Sequence, residues 1–190
     1  MGRYIKDILM LGYAGDRGIR KILINKNQEL LKYFNSSYIE KIYREALADE
    51  DFLHSDQSFS LLEGKSPLSE SLGGEIEAAE AGEEGVLGAL YRIAEEKLLG
   101  IRIELKAIPI RQSTVEICEY YRLNPYYLPS SARILLSEKG GLLCEELKAL
   151  GIHAVRIGSL TQGRDKIITD KEEVEYINRP LRGEMDKVGK

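Results

Sequence analysis

The sequence predicts an α+β domain, a mixed β-sheet with packed helices. Two observations carry this. From Leu87 onward the elements read helix, strand, helix, strand, helix, strand, strand, without the regular strand–helix repeat of a parallel sheet. The apolar residues also switch period along the chain, from helical spacing to strict alternation and back. A chain of 190 residues suits one domain overall and is long enough to bury a single core. No internal repeat or heptad pattern is visible.

Tyr4 to Leu11 reads as a short strand ending at Gly12. A helical pattern follows through Ile19, Ile22, Leu23, Leu30 and Leu31, weakened in its middle by Asn25 and Asn27. Ser37 with Glu40 suggests a capping box. It precedes a helix in which Ile39, Ile42, Tyr43, Ala46 and Leu47 recur at helical spacing. These elements make an amino-terminal segment, residues 1–53. Residues 54–84 are rich in Ser, Gly and Glu, include Lys65-Ser66-Pro67 and Gly73-Gly74, and are expected to be mostly loop.

Residues 85–190 are expected to hold the α+β core. Val86, Leu87, Ala89, Leu90, Ile93, Ala94 and Leu98 form one helical stripe, with Gly100 as its stop. Ile101, Ile103 and Leu105 alternate with Arg102, Glu104 and Lys106, the pattern of a strand buried on one face. Ser113 with Glu116 suggests a second capping box, and Asn124-Pro125 closes that helix and opens a short turn. Arg133–Ser137 reads as a strand and Leu142–Leu150 as a helix stopped by Gly151. Ala154–Gly158 and Lys166–Thr169 read as two more strands, and Val174–Ile177 is placed to pair with the second.

The balance of 43% hydrophobic and 31% charged residues is that of a globular protein. The formal net charge is −4 and no Lys/Arg block appears, which argues against a nucleic-acid partner. No apolar run approaches the roughly 18 residues of a membrane span, so a soluble, cytoplasmic protein with no membrane partner is expected. Cys118 and Cys144 lie in helical patterns beside apolar residues. They are expected to be unlinked and mostly buried. With His54 and His153 they lack metal-ligand spacing, so no metal site is predicted.

Several segments resemble the AIR synthase-related superfamily, its hydrogenase-maturation branch especially. Gly82-Glu83-Glu84-Gly85-Val86-Leu87-Gly88-Ala89-Leu90-Tyr91 is similar to the opening of the main helix of that family's carboxy-terminal domain. Ile108-Pro109-Ile110-Arg111, Glu116-Ile117-Cys118-Glu119-Tyr120-Tyr121 and Leu123-Asn124-Pro125 are similar too, as are Gly151-Ile152, Ala154, Ile157-Gly158 and Thr161. Gly12-Tyr13-Ala14-Gly15 resembles the junction of the family's two domains. The resemblance implies the carboxy-terminal domain alone, partly ferredoxin-like, without the amino-terminal half that binds ATP and magnesium. No cofactor is therefore predicted for the isolated chain.

The same resemblance picks out ligand-binding candidates: Glu80, Gly82, Glu83 and Gly85, in a loop where the family has two glycines and this chain has Glu84 and Gly85. Two readings stand. The loop can hold an anion at a helix N-terminus, or Glu83 and Glu84 simply complement the helix dipole. Ala132 stands where the family often has glycine, which implies that a ligand no longer approaches the backbone there. The hydrogenase-maturation branch modifies a terminal cysteine, and no cysteine follows Cys144 here. Tyr120, Tyr121, Tyr126 and Tyr127 suit either an interface or the core.

The function implied is a stand-alone carboxy-terminal domain that is non-catalytic alone and binds a partner or small ligand. The alternative is the cleft-closing half of an ATP-dependent enzyme whose other half is a separate chain. Loss of the family's dimer-building domain implies an uncovered edge at the first strand. Self-association or a protein partner is thus expected through residues 4–15, with Tyr4, Ile8 and Tyr13 in the contact.

Overall fold

A computed structural model describes residues 3–53, 66–170, 173–179 and 183–188. Its elements run β1 (Tyr4–Leu11), α1 (Asp16–Asn25), α2 (Asn27–Leu30), α3 (Ser36–Leu53), α4 (Pro67–Leu72), β2 (Glu77–Gly82), α5 (Gly85–Lys97), β3 (Gly100–Glu104), α6 (Gln112–Tyr121), β4 (Ser130–Ser137), α7 (Gly140–Ala149), β5 (Ala154–Thr161), β6 (Lys166–Asp170) and β7 (Glu173–Tyr176). Short 3-10 turns lie at Leu105–Ala107, Pro125–Tyr127 and Glu184–Lys187. The strands form one open sheet in the order β2-β4-β1-β5-β3-β6-β7. β3 and β6 run parallel and the remaining neighbours are antiparallel. This is the α+β class with a mixed sheet that the sequence predicts.

Side chains of a strand alternate between faces, and β1 feeds a core on each. Ile8 and Met10 join Ala132, Ile134 and Leu136 under Val86, Leu90 and Ile93 of α5. Leu9, Leu11 and Leu135 lie on the other face, under Leu143 and Leu147 of α7 and Leu68 and Leu72 of α4. That explains why Ile8 to Leu11 is an unbroken apolar run: both faces are covered. A third cluster joins α1, α3 and α6 through Ile19, Ile22, Ile39, Ile42, Ile117 and Cys118. It meets the sheet where Leu128 packs into it and the Gly18 N–H donates to the Pro129 carbonyl.

Several expectations are corrected. Of the expected loop 54–84, residues 54–65 lie outside the described residues, but Pro67–Leu72 is a helix and Glu77–Gly82 a strand. Ser66 caps α4 by accepting the Ser69 N–H at 3.2 Å, with Pro67 in the first turn. β2 follows and pairs with β4 from Glu77–Leu136 to Gly82–Ser130. Its Ala78, Ala79 and Ala81 give little hydrophobic signal, and the long-range ladder supplies what local propensity lacks. Glu77 also ties β2 down, bonded to Lys6 of β1 at 2.8 Å and to Lys97 of α5. Burial alone would raise its carboxyl, yet the two ammonium groups hold it below the usual range.

Neither capping box forms. Asn35 accepts the Tyr38 N–H at 2.7 Å in place of Ser37. Arg111 precedes α6 with no side-chain cap, and Glu116 instead accepts the Tyr38 hydroxyl at 2.5 Å. Burial and that carboxylate push Tyr38 up to about 12. The helix through Val86 ends at Leu98, which takes the left-handed conformation itself, so Gly100 starts β3. The strand from Ala154 continues to Thr161 because β1 and β3 flank it.

The largest correction concerns β1. It lies between β4 and β5, paired on both sides, and is not an edge. Ile8 has no exposed surface and packs in the main core. The association expected through residues 4–15 therefore loses its basis. The edges are β2 and β7.

Cys118 and Cys144 are unlinked; Cys118 is buried and Cys144 half-buried. Burial, helped by Glu184, pushes the Cys118 thiol up to about 12, and burial also raises Cys144. Under native conditions a thiol reagent should label Cys144 slowly and Cys118 at least about tenfold more slowly. Equal, fast labelling of both would contradict the packing of α6.

Candidate functional site

The loop between β2 and α5 joins the end of an edge strand to a helix N-terminus. Gly82 and Gly85 both have positive φ, 61° and 70°. They serve different ends. A Cβ on Gly85 would lie 2.6 Å from the Leu128 carbonyl oxygen and 2.7 Å from that of Tyr126, so Gly85 lets α5 seat against the Pro125–Tyr127 turn. A Cβ on Gly82 would meet nothing within 4 Å.

The carboxylates of this loop are held by cations from three other elements. Glu83 accepts Lys21 of α1 at 2.7 Å. Glu84 accepts Arg92 of α5 at 3.2 Å, and the same guanidinium donates to the Glu80 carbonyl at 3.3 Å. The Glu80 carboxylate lies 3.8 Å from Arg133, whose side chain is 2% exposed in β4. The Lys21 and Arg92 pairs are exposed and contribute about 0–1 kcal/mol each, so their main effect is on charge. The helix N-terminus thus meets the protein's own carboxylates, the complement its dipole favours. Of the predicted ligand residues Glu80 and Gly82 lie at the end of β2, Glu83 in the turn that follows, and Gly85 opens α5. Ala132, one strand away, has its methyl buried in the core with α5.

Beside this loop lies a groove of about 550 Å3, walled by the tyrosine turn, β6, β7 and the Glu184–Lys187 turn. Tyr126, Tyr127 and Tyr176 supply aromatic surface, Leu87 and Ile168 the apolar floor, and Arg122 and Lys187 the cationic side chains, Lys187 paired with Glu184. Asn124 caps the turn by accepting the Tyr126 N–H at 3.0 Å, and Glu184 accepts the Asn124 N–H at 2.7 Å. Burial raises both phenols, followed by Asp170 for Tyr126 and Glu184 for Tyr127. The sequence holds one trace of this groove, the Tyr126-Tyr127 pair; its other wall comes from strands about 50 residues later. Tyr120 and Tyr121 pack elsewhere, against each other edge to face at 4.8 Å.

The Gly12–Gly15 turn is a junction held by buried polar groups. Asp16, 2% exposed in the first turn of α1, accepts the Ser131 N–H at 2.9 Å and the Ser131 hydroxyl. The Ser130 hydroxyl accepts the Gly15 N–H at 3.2 Å and has the Tyr13 carbonyl and Asp16 Oδ1 within donating reach. Tyr13 is half-buried, with the Arg111 guanidinium 4.1 Å above its ring, and Tyr4 is exposed. Among the described residues no cluster of His, Cys, Asp or Glu could hold a metal ion, and no helix is long and apolar enough to cross a membrane.

No family model and no curated protein matches the sequence. Solved structures do match the fold. E. coli HypE, a hydrogenase maturation protein, superposes with a TM-score of 0.62 at 17% identity, over 95% of this chain and 51% of its own. A chain of a HypE–HypF complex gives 0.60 at 20% identity, covering 94% of this chain and 54% of that one. The fold is AIR synthase-like. Thiamine monophosphate kinase from Aquifex aeolicus shares it, with a TM-score of 0.55 at 14% identity over 88% of this chain and 53% of that enzyme. The chain spans about half the length of these AIR synthase-like proteins.

The two loop glycines give a graded test. Gly85→Ala forces a methyl into backbone at a positive φ and should cost about 2–4 kcal/mol of stability, against about 1 kcal/mol for Gly82→Ala, which meets only the φ penalty. Urea unfolding checks this. Equal costs would mean that α5 is not seated on the tyrosine turn.

Proposed function

We propose that this chain is a binding domain without catalytic activity of its own, taking a small ligand or partner segment at the face where the glycine loop meets the tyrosine turn. The observation that carries this is the closure of the loop by its own charges. Glu83 and Glu84 occupy the helix N-terminus with the wrong sign for phosphate, and Lys21 and Arg92 already neutralise them. The adjoining groove offers what the loop lacks: apolar and aromatic walls with a few convergent polar groups. A ligand with a flat apolar body and an anionic or amide edge suits Tyr126, Tyr127 and Arg122. Glu80, Gly82, Glu83 and Gly85 then act as the support of that groove.

A second reading is the cleft-closing half of an ATP-dependent enzyme, acting with an ATP-binding half. The half-length match to HypE and to a kinase favours it. Calorimetry separates the two. Under the first reading magnesium-ATP gives no binding heat and no turnover. An NMR fragment screen then shifts resonances of Tyr126, Tyr127 and Tyr176 first. Micromolar binding of magnesium-ATP, or fragment shifts that avoid the groove, would overturn the first reading.

A further inference from the structure

We propose that the groove between α1 and α3 seats a second copy of this chain, forming a two-fold dimer. The groove has a volume of about 420 Å3 and lies in the third core cluster, away from the tyrosine groove. Leu23 and Ile39 form its buried floor, and Ile24 and Tyr43 rise from its lips, 58% and 37% exposed. An isoleucine that exposed at the end of an amphipathic helix has the form of a knob beside an apolar hole. Scattered exposed apolar residues are ordinary, but Ile24 and Tyr43 share one concave patch, which marks an interaction surface.

Charge selects the occupant. Glu40 and Arg44 line the same groove four residues apart on α3, about 6 Å along the helix axis. Among the described residues neither side chain enters an ion pair; the Arg44 Nε donates only to the Glu40 backbone carbonyl, at 3.4 Å. An acidic partner would meet Glu40 and a basic one Arg44. An antiparallel copy of α3 meets both correctly. With the two-fold axis at the level midway between them, Glu40 of each copy faces Arg44 of the other, and the pair forms twice. The same crossing brings Ile24 and Tyr43 of each copy over the apolar floor of the other. One helix-pair contact is smaller than a standard interface of roughly 1,600 Å2, so a reversible dimer is expected.

Sedimentation velocity on the full chain tests this across the micromolar range. The intact chain should shift from monomer to dimer with concentration. Ile24→Glu and Tyr43→Glu, both at exposed positions, should weaken the dimer at least about tenfold with an unchanged circular dichroism spectrum. Glu40→Arg alone should weaken it similarly, and the double variant Glu40→Arg/Arg44→Glu should restore it. A chain monomeric throughout, a dimer indifferent to Ile24→Glu, or a double variant no tighter than Glu40→Arg would each overturn the proposal. None of these substitutions touches the tyrosine groove, so the ligand reading stands or falls separately.

Discussion

The carboxylate of Asp16 is the point at which two cores become one body. It sits where β1 has ended and α1 begins, and it is taken out of water by Ser130 and Ser131 at the start of β4. A buried charge is tolerable only when its lone pairs are filled. Here the Ser131 N–H and hydroxyl donate to it, the Ser130 hydroxyl, which also faces the Tyr13 carbonyl, lies within reach of Oδ1, and the N-terminal dipole of α1 adds to the effect. The junction fixes the exit of β1, the entry of α1 and the first residues of β4 in one step. The helical cluster of α1, α3 and α6 is thereby docked to the sheet, and the Pro125–Tyr127 turn leading into β4 is placed against Gly85.

From that placement the site follows. β1 runs down the middle of the sheet, so its apolar run feeds a core on either face and leaves no edge for association. β2 completes the sheet beside β4; its own Glu80 faces Arg133 of β4, and the turn after it delivers Glu83 and Glu84 to cations on α1 and α5. The N-terminus of α5 is neutralised internally. The open concave surface lies next door, where tyrosines line it.

Much of this was legible in the sequence because it is local. The stripe from Val86 to Ala94, the alternation at Ile101–Leu105, the break at Asn25–Asn27 and the Asn124-Pro125 turn each carry their signal in a few residues; Leu98, read as the last of the stripe, is an exposed cap. The α+β class and the strand at Tyr4–Leu11 came with them. What was not legible depends on distant partners. β2 is mostly alanine and glutamate and exists because β4 accepts it. Asn35 outcompetes Ser37 as a cap, and Glu116 is drawn to Tyr38 rather than to its own helix end. Burial of Ile8 follows from strand order, which no local pattern encodes. Of the site, sequence resemblance located the glycine loop, whereas its ion pairs and the groove walls, drawn from residues as far apart as Leu87 and Lys187, appear only in the fold.

The dependence of both cores on one buried carboxylate can be measured directly. Urea unfolding of Asp16→Ala, followed by circular dichroism, should show a loss of about 3 kcal/mol, because the Ser131 hydroxyl and N–H lose a buried acceptor together. Asp16→Asn, which keeps one acceptor, should lose less. A change within about 0.5 kcal/mol for Asp16→Ala would mean that the helical cluster and the sheet are joined by packing alone, and that the Asp16 junction is not what the fold depends on.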